Sequence, residues 1–169
     1  RDMPLVSDID IKVDVPQIYY GENTKDFVIV NSREKEFDYP ATNLNMETEY
    51  NGTGGIRLNL LNRILFAVRE GKINFLLSQD ISSRSRILIN REIIGRARRI
   101  APFLSYDEDP YIVIHNKKLY WIIDAYTSSS RYPYSERINS QTSTNYIRNS
   151  VKVVIDAYNG TTDYYISDS

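Results

Sequence analysis

From residue 110 onward the chain reads as strands joined by short turns, and this pattern constrains the fold more than any other feature. Tyr111-Ile112-Val113-Ile114 and Leu119 to Tyr126 flank a turn at His115-Asn116-Lys117, the spacing of a β-hairpin. Tyr146 to Tyr158 is a long strand, and Asp163-Tyr164-Tyr165-Ile166 is its return. Asn159-Gly160 between them predicts a type I′ turn, because both residues tolerate positive φ. Hairpins pair antiparallel, so the C-terminal half is expected to form an antiparallel sheet. A Ser/Thr-rich loop, 128–144, separates the two hairpins.

The N-terminal half mixes periods. Ile9 to Val15 alternates strictly, as a half-buried strand does, until Pro16 stops it. Gln17 to Tyr20 and Asp26 to Val30 read as strands, and 31–55 as a long polar loop. Over 56–70, Leu58, Leu60, Leu61, Ile64, Leu65, Ala67 and Val68 share one half of a helical circle, with Gly71 as the stop. Phe66 projects from the opposite, polar half and is expected to be covered by a second element. Ile73 to Leu77 predicts a helical turn. A second amphipathic helix is expected over 90–100, with Asn90 as its N-cap and Pro102 as its end. Strands grouped apart from helices give an α+β fold: a mostly antiparallel sheet of hairpins packed against two amphipathic helices, about 56–70 and 90–100. The 169 residues are expected to form one soluble domain.

Composition removes several classes of function. There is no Cys and a single His, so disulfides, thiolate metal sites and multi-histidine sites are excluded. Formal charge is −1, which argues against a nucleic-acid-binding domain. No apolar run approaches the roughly 18 residues needed to span a bilayer. The abundance of Ile, Asn and Tyr matches AT-rich codon usage, so the 14 Tyr are read first as ordinary strand and core residues.

The charge layout is more informative than the total. Arg84 to Arg99 holds six Arg and one Glu, a local +5; Gly21 to Tyr50 holds seven acids and three bases, a local −4. Arg91, Arg96, Arg98 and Arg99 fall on one side of the second helix. They could face anionic lipid headgroups or an envelope polymer, or be neutralised by acids from 22–49 and 107–109. Ile122-Ile123-Asp124-Ala125-Tyr126 echoes Val154-Ile155-Asp156-Ala157-Tyr158, placing Asp124 and Asp156 near the ends of long strands. Such a pair could act as acid and base in a hydrolase, which for a glycoside requires about 5–9.5 Å between carboxyl groups. The plainer expectation is that each accepts hydrogen bonds from turn amides or pairs with an Arg. Tyr132 and Tyr134 flank Pro133 and are expected to pin their loop by burial; exposed, they would suit stacking on a sugar or a membrane interface. Neither a metal nor a cofactor is expected.

The residues also carry a family resemblance. Ile18-Tyr19-Tyr20-Gly21-Glu22, Phe27-Val28-Ile29-Val30-Asn31, Ile100-Ala101-Pro102-Phe103-Leu104 and Asp109-Pro110-Tyr111 follow in a recognisable order. The most specific stretches are Tyr120 to Thr127, Arg131-Tyr132-Pro133-Tyr134-Ser135 and Asn145 to Lys152. Together they resemble the soluble region of a bacterial multi-spanning membrane protein family, number 0182 among the uncharacterised protein families. The resemblance implies membrane helices before this region, an acidic tail after it and a position on the extracytoplasmic side of the cell membrane. It implies no established activity, so no catalytic residues carry over. The chain departs from the family pattern at His115-Asn116, where an Asp-Gly turn is common, and at Ser128-Ser129-Ser130, where an Asp usually precedes the Arg. Arg1 and Ser169 then read as the ends of a piece of a longer membrane protein. The expected function is a non-catalytic extracytoplasmic binding or assembly module. Its partners would be its own membrane-spanning region and an anionic surface, and the alternative is a hydrolase using Asp124 and Asp156.

Overall fold

A computed structural model describes residues 13–34, 36–40, 45–138 and 143–167. The fold is α+β. Its central sheet has five antiparallel strands. β9 (Tyr146–Asp156) lies between β10 (Thr162–Ile166) and β8 (Lys118–Ser129), whose other edge carries β6 (Ser105–Tyr106) and β7 (Tyr111–His115). A second, three-stranded antiparallel sheet has the order β1 (Val28–Val30), β5 (Arg86–Leu88), β4 (Ile56–Arg57). A hairpin, β2 (Glu36–Pro40) with β3 (Asn45–Thr48), stands apart. The helices are α1 (Leu60–Glu70), the single turn α2 (Asn74–Leu77) and α3 (Ile93–Ile100).

The two-residue period of a strand explains how the small sheet organises the core. Val28, Val30 and Leu88 point to one face, and Ile29 and Ile87 to the other. The first face meets the large sheet through Ile123, Ala125, Val153 and Ile155, together with Ile93 and Ala97 of α3. The second meets Phe66 and Ala67 of α1, Phe75 of α2, Leu58 and Ile81. The small sheet therefore separates two apolar cores.

Turn chemistry inverts one expectation. Asn116 and Lys117 both have positive φ, 48° and 61°, and link paired His115 and Lys118, so the I′-like turn lies there. At Asn159-Gly160 only Gly160 is positive. The Gly160 amide donates to the Asp156 carbonyl at 2.8 Å, closing a wider loop. The Asp156 side chain accepts from the Tyr158 and Asn159 amides at 2.8 Å each, which holds the chain in that wider path. Gly160 also lies flat on Tyr20, where a Cβ would sit 2.5 Å from the ring.

Several expected elements shift. Ile9 to Lys12 lies outside the described residues, and 13–15 forms no strand. Tyr19 and Tyr20 are buried without a ladder, because both amides donate to the Ala157 carbonyl at 2.9 Å. The expected loop 31–55 contains the β2–β3 hairpin and ends on buried Tyr50. Tyr50, Tyr19 and Tyr158 form a ring cluster with centroids 4.8–5.2 Å apart. Tyr50 donates its hydroxyl to Asn159 Oδ1 at 3.3 Å and accepts from the Gly54 amide at 2.9 Å. These tyrosines are core, as the composition argument expects.

The largest correction concerns α1. Of its expected core face only Leu58, just ahead of the helix, and Ala67 are buried; Leu60, Leu61, Ile64, Leu65 and Val68 are 43–79% exposed. The opposite half faces in. Phe66 is covered, as expected, by a second element: it stacks on Phe75, centroids 6.2 Å apart, which in turn meets Phe27 at 5.6 Å. Arg63 donates Nε to the Phe75 carbonyl at 2.7 Å and its terminal nitrogen to Leu76 and Ser78 at 2.8 and 3.0 Å. It thus satisfies carbonyls that the short helix leaves open. An arginine that caps α2 and a phenylalanine that fills the outer core outweigh the leucine stripe.

Two measurements test this packing. Phe66→Ala should cost about 3–5 kcal/mol of unfolding free energy and Leu65→Ala about 0.5 kcal/mol or less. Denaturant melts giving the reverse order would mean that α1 is rotated. Burial raises the hydroxyl pKa of Tyr20 and Tyr158 and pushes Tyr50 up to about 12. A raised phenol pKa stabilises the fold fully below the unfolded value near 10 and loses that stabilisation as pH rises through the folded value. Stability should therefore hold to about pH 10 and fall towards pH 12, less steeply in Tyr50→Phe, as followed by tyrosinate absorbance and circular dichroism.

Candidate functional site

Helix α3 begins at Glu92 rather than Asn90. The Glu92 carboxylate accepts from the amides of Ile94 at 2.8 Å and Gly95 at 2.6 Å. Asn90 has a positive φ of 51° and instead accepts from Arg99. Gly95 makes the cap possible, since a Cβ there would meet the Glu92 carboxylate at 2.4 Å. At the other end, Tyr106 and Tyr164 donate to the Ala97 carbonyl at 3.1 and 3.0 Å, and Tyr106 to Ala101 at 2.8 Å. Burial raises the pKa of Tyr164, so it stays a protonated donor. Both helix ends are thus closed by side chains.

The four arginines divide into two pairs. Arg91 is half-buried and donates to the carbonyls of Tyr19 at 2.6 Å and Asp26 at 3.1 Å. Arg96 lies over the Tyr20 ring, 5.0 Å from its centroid, and donates to Thr162 Oγ1 at 3.1 Å. These two hold the fold together. Arg98 and Arg99 are exposed in the last turn, where a cation suits the helix dipole.

All four line an open groove of about 840 Å³ that also takes in Lys25, Arg69 and Lys72. Its walls carry seven bases and five acids, a balance of +2. Glu92 is committed to the cap. Glu70 pairs with Arg69 at 3.3 Å and Glu108 with Arg98 at 3.7 Å, both at the surface, where such pairs contribute at most about 1 kcal/mol. The acids of 22–26 and Glu108 offset the basic face without cancelling it. Lys25, Arg69 and Lys72 were not legible as site residues, because α1 and the segment before β1 meet α3 only through the tertiary fold.

The paired-carboxylate geometry does not form. Asp124 pairs across the strands with Lys152 and accepts from Asn149 Nδ2 at 3.2 Å. That bond raises the Lys152 pKa. Asp156 is buried in its turn, serving the Tyr158 and Asn159 amides. Asp156 lies opposite Tyr120, four residues along β8 from Asp124, so the two positions are about 13 Å apart along the strand. Asp156 follows the plainer reading, and Asp124 is paired as expected but with Lys152 in place of an Arg. Among the described residues no group of three or more His, Asp and Glu side chains is placed to hold a metal ion.

The two loop tyrosines also part ways. Tyr132 stacks on Tyr146 with centroids 4.3 Å apart and planes 6° apart and so pins the loop, but it is 52% exposed, against the expectation of burial. Asn145 completes the attachment by donating to the Tyr132 carbonyl at 2.7 Å. Tyr134 is fully exposed at a positive φ of 61°, against the expectation of burial. Pro133 and Tyr134 form a turn, and the Tyr134 ring stands in solvent.

Comparison with known proteins places this chain. It matches the uncharacterised protein family UPF0182 over residues 1–169. The chain belongs to that family. It is 58% identical over 168 residues to a UPF0182 protein of Alkaliphilus metalliredigens and 54% to one of Clostridium tetani, covering 99% of this chain in each case. A UPF0182 protein of Clostridium botulinum strain Okra is 55% identical over the same length. The chain spans only 18–19% of these relatives' length, so it corresponds to one part of a larger protein. No solved structure matches it. No helix among the described residues is long and apolar enough to cross a membrane.

Removing the cap checks the local account of the groove wall. Glu92→Ala should lower stability by about 1 kcal/mol, or roughly 2–4 °C in melting temperature. No change in the calorimetric melt would mean that the start of α3 does not need its cap.

Proposed function

We propose that this chain is a non-catalytic, extracytoplasmic binding or assembly module of a bacterial integral membrane protein, and that the groove beside α3 is its anion-binding surface. The observation that carries this reading is the meeting of Arg98 and Arg99 with Lys25, Arg69 and Lys72 from two other segments at one open groove. The matching ligand chemistry is a row of phosphates, as on phospholipid headgroups or a phosphate-bearing envelope polymer. An open groove with a small excess of positive charge suits such a surface better than a small substrate, which sites usually enclose. The spent carboxylates support the non-catalytic half of the proposal, since Asp124 and Asp156 each have their own partners. Membership of a family whose proteins are about five times longer supports the modular half. The remaining chain, including its membrane-spanning region, is the natural partner in assembly.

The test titrates the chain with soluble polyphosphate and with vesicles containing phosphatidylglycerol, at low and at raised salt. Binding should weaken with salt, and Arg98→Glu with Arg99→Glu should reduce it about tenfold or more, each surface cation contributing about 1 kcal/mol. Polyphosphate binding without vesicle binding would name the polymer as the source, and vesicle binding alone the headgroups. Binding to neither probe at low salt would remove the groove as an anion site.

A further inference from the structure

We propose that the exposed face of α1 and α2 docks in the interfacial layer of an anionic phospholipid bilayer. This goes beyond the groove reading, because it rests on apolar surface rather than on the α3 arginines. Leu60, Leu61, Ile64, Leu65 and Val68 form a continuous stripe, every member 43–79% exposed, and Leu77 of α2 adds a further side chain at 68%. The stripe is not a failed core. The inward half of α1 is already filled by Phe66, Ala67 and the Arg63 staple, so the leucines have no place inside the described fold. Contiguous apolar surface of this kind on a folded protein marks a contact with an apolar phase or partner.

Charge selects the occupant. Residues 56–77 carry four bases and one acid. Arg63 is turned inward, which leaves exposed Arg57, Arg69 and Lys72 around the stripe, with Glu70 paired to Arg69. An apolar stripe rimmed by cations is the pattern of a helix lying in the headgroup layer, its leucines reaching about 5–10 Å down and its bases at the phosphates. A second copy is the poorer occupant. A two-fold interface sets the same patch against itself, bringing the two cationic rims together with almost no acid to meet them. Arg69 and Lys72 also line the groove of α3, so the cationic rim runs continuously from stripe to groove.

The sequence contains no Cys, which allows a site-specific probe. Leu65→Cys carrying a polarity-sensitive fluorophore should shift to the blue when the chain meets vesicles of equal parts phosphatidylcholine and phosphatidylglycerol. The same dye on Lys118→Cys, exposed at the β7–β8 turn, should not shift. In sedimentation, Leu61→Ser with Leu65→Ser should weaken vesicle binding about a hundredfold, since each buried leucine is worth about a factor of ten. The same variant should keep its melting temperature and its affinity for polyphosphate. Arg57→Glu with Lys72→Glu should also weaken vesicle binding, as should raised salt. Three results would overturn the proposal: no vesicle binding, vesicle binding indifferent to the leucine substitutions, or a concentration-dependent dimer that those substitutions abolish while vesicles leave the dye unshifted. The last would assign the face to a second copy. Absent polyphosphate binding, together with vesicle binding and a dye shift that Arg98→Glu with Arg99→Glu leave unchanged, would refute the groove and leave this inference standing.

Discussion

The structure depends on the turn at 156–160, where segments distant in sequence meet on one set of backbone groups. The Ala157 carbonyl takes the amides of Tyr19 and Tyr20, and the Ala157 amide reaches back to Leu119. Asn159 Oδ1 accepts from the Thr53 amide at 2.9 Å, and the Tyr158 hydroxyl accepts from the Asn51 amide at 2.8 Å. Gly160 leaves room for Tyr20, and Tyr20 supports Arg96. An unpaired buried amide or carbonyl costs about 1–3 kcal/mol, so one turn that satisfies several of them fixes the N-terminal segments with no strand of their own. That turn exists because the Asp156 carboxylate binds two of its amides. One of the two aspartates that looked most like chemistry is thus a residue the architecture depends on.

How far the sequence reveals the fold depends on the range of the force involved. The hairpins β7–β8 and β9–β10 were legible because alternation and turn residues act over a few neighbours. Turns were expected in both hairpins, with the I′ form at Asn159-Gly160; the I′-like form lies at Asn116-Lys117 instead, and hydrogen bonds from residues 19, 20 and 53 meet the wider loop at 156–160. The existence of α1 was legible from its period, and its orientation was not. Periodicity reports which residues share a face, never which face finds a partner. Phe66 stood out against the pattern, and it was the residue that decided the packing.

The same distinction applies to the candidate site. Four arginines on one side of α3 were legible from helical spacing. Their division into two that hold backbone carbonyls and rings and two that face solvent was not, since Arg91 and Arg96 find their partners 65–76 residues away in sequence. The echo between residues 122–126 and 154–158 was legible and misleading as chemistry. It falls on two neighbouring strands of one sheet, with Asp124 in mid-strand beside Lys152 and Asp156 buried at the end of its strand, and their register keeps the two positions apart.

The groove inherits its geometry from the small sheet. Helix α1 belongs to the core on one face of β1–β5–β4, and α3 to the core on the other. Ile87 and Leu88 are adjacent in β5, and each is fully buried in a different core. Arg69 and Lys72 reach the groove from the first side, Arg98 and Arg99 from the second. The separation of these cations is therefore set by the thickness of two packed layers. Close-packed interiors resist compression, so that separation is nearly rigid. An extended anionic surface tolerates such fixed spacing, because it offers charge at many positions. A small anion would need the two layers to move together.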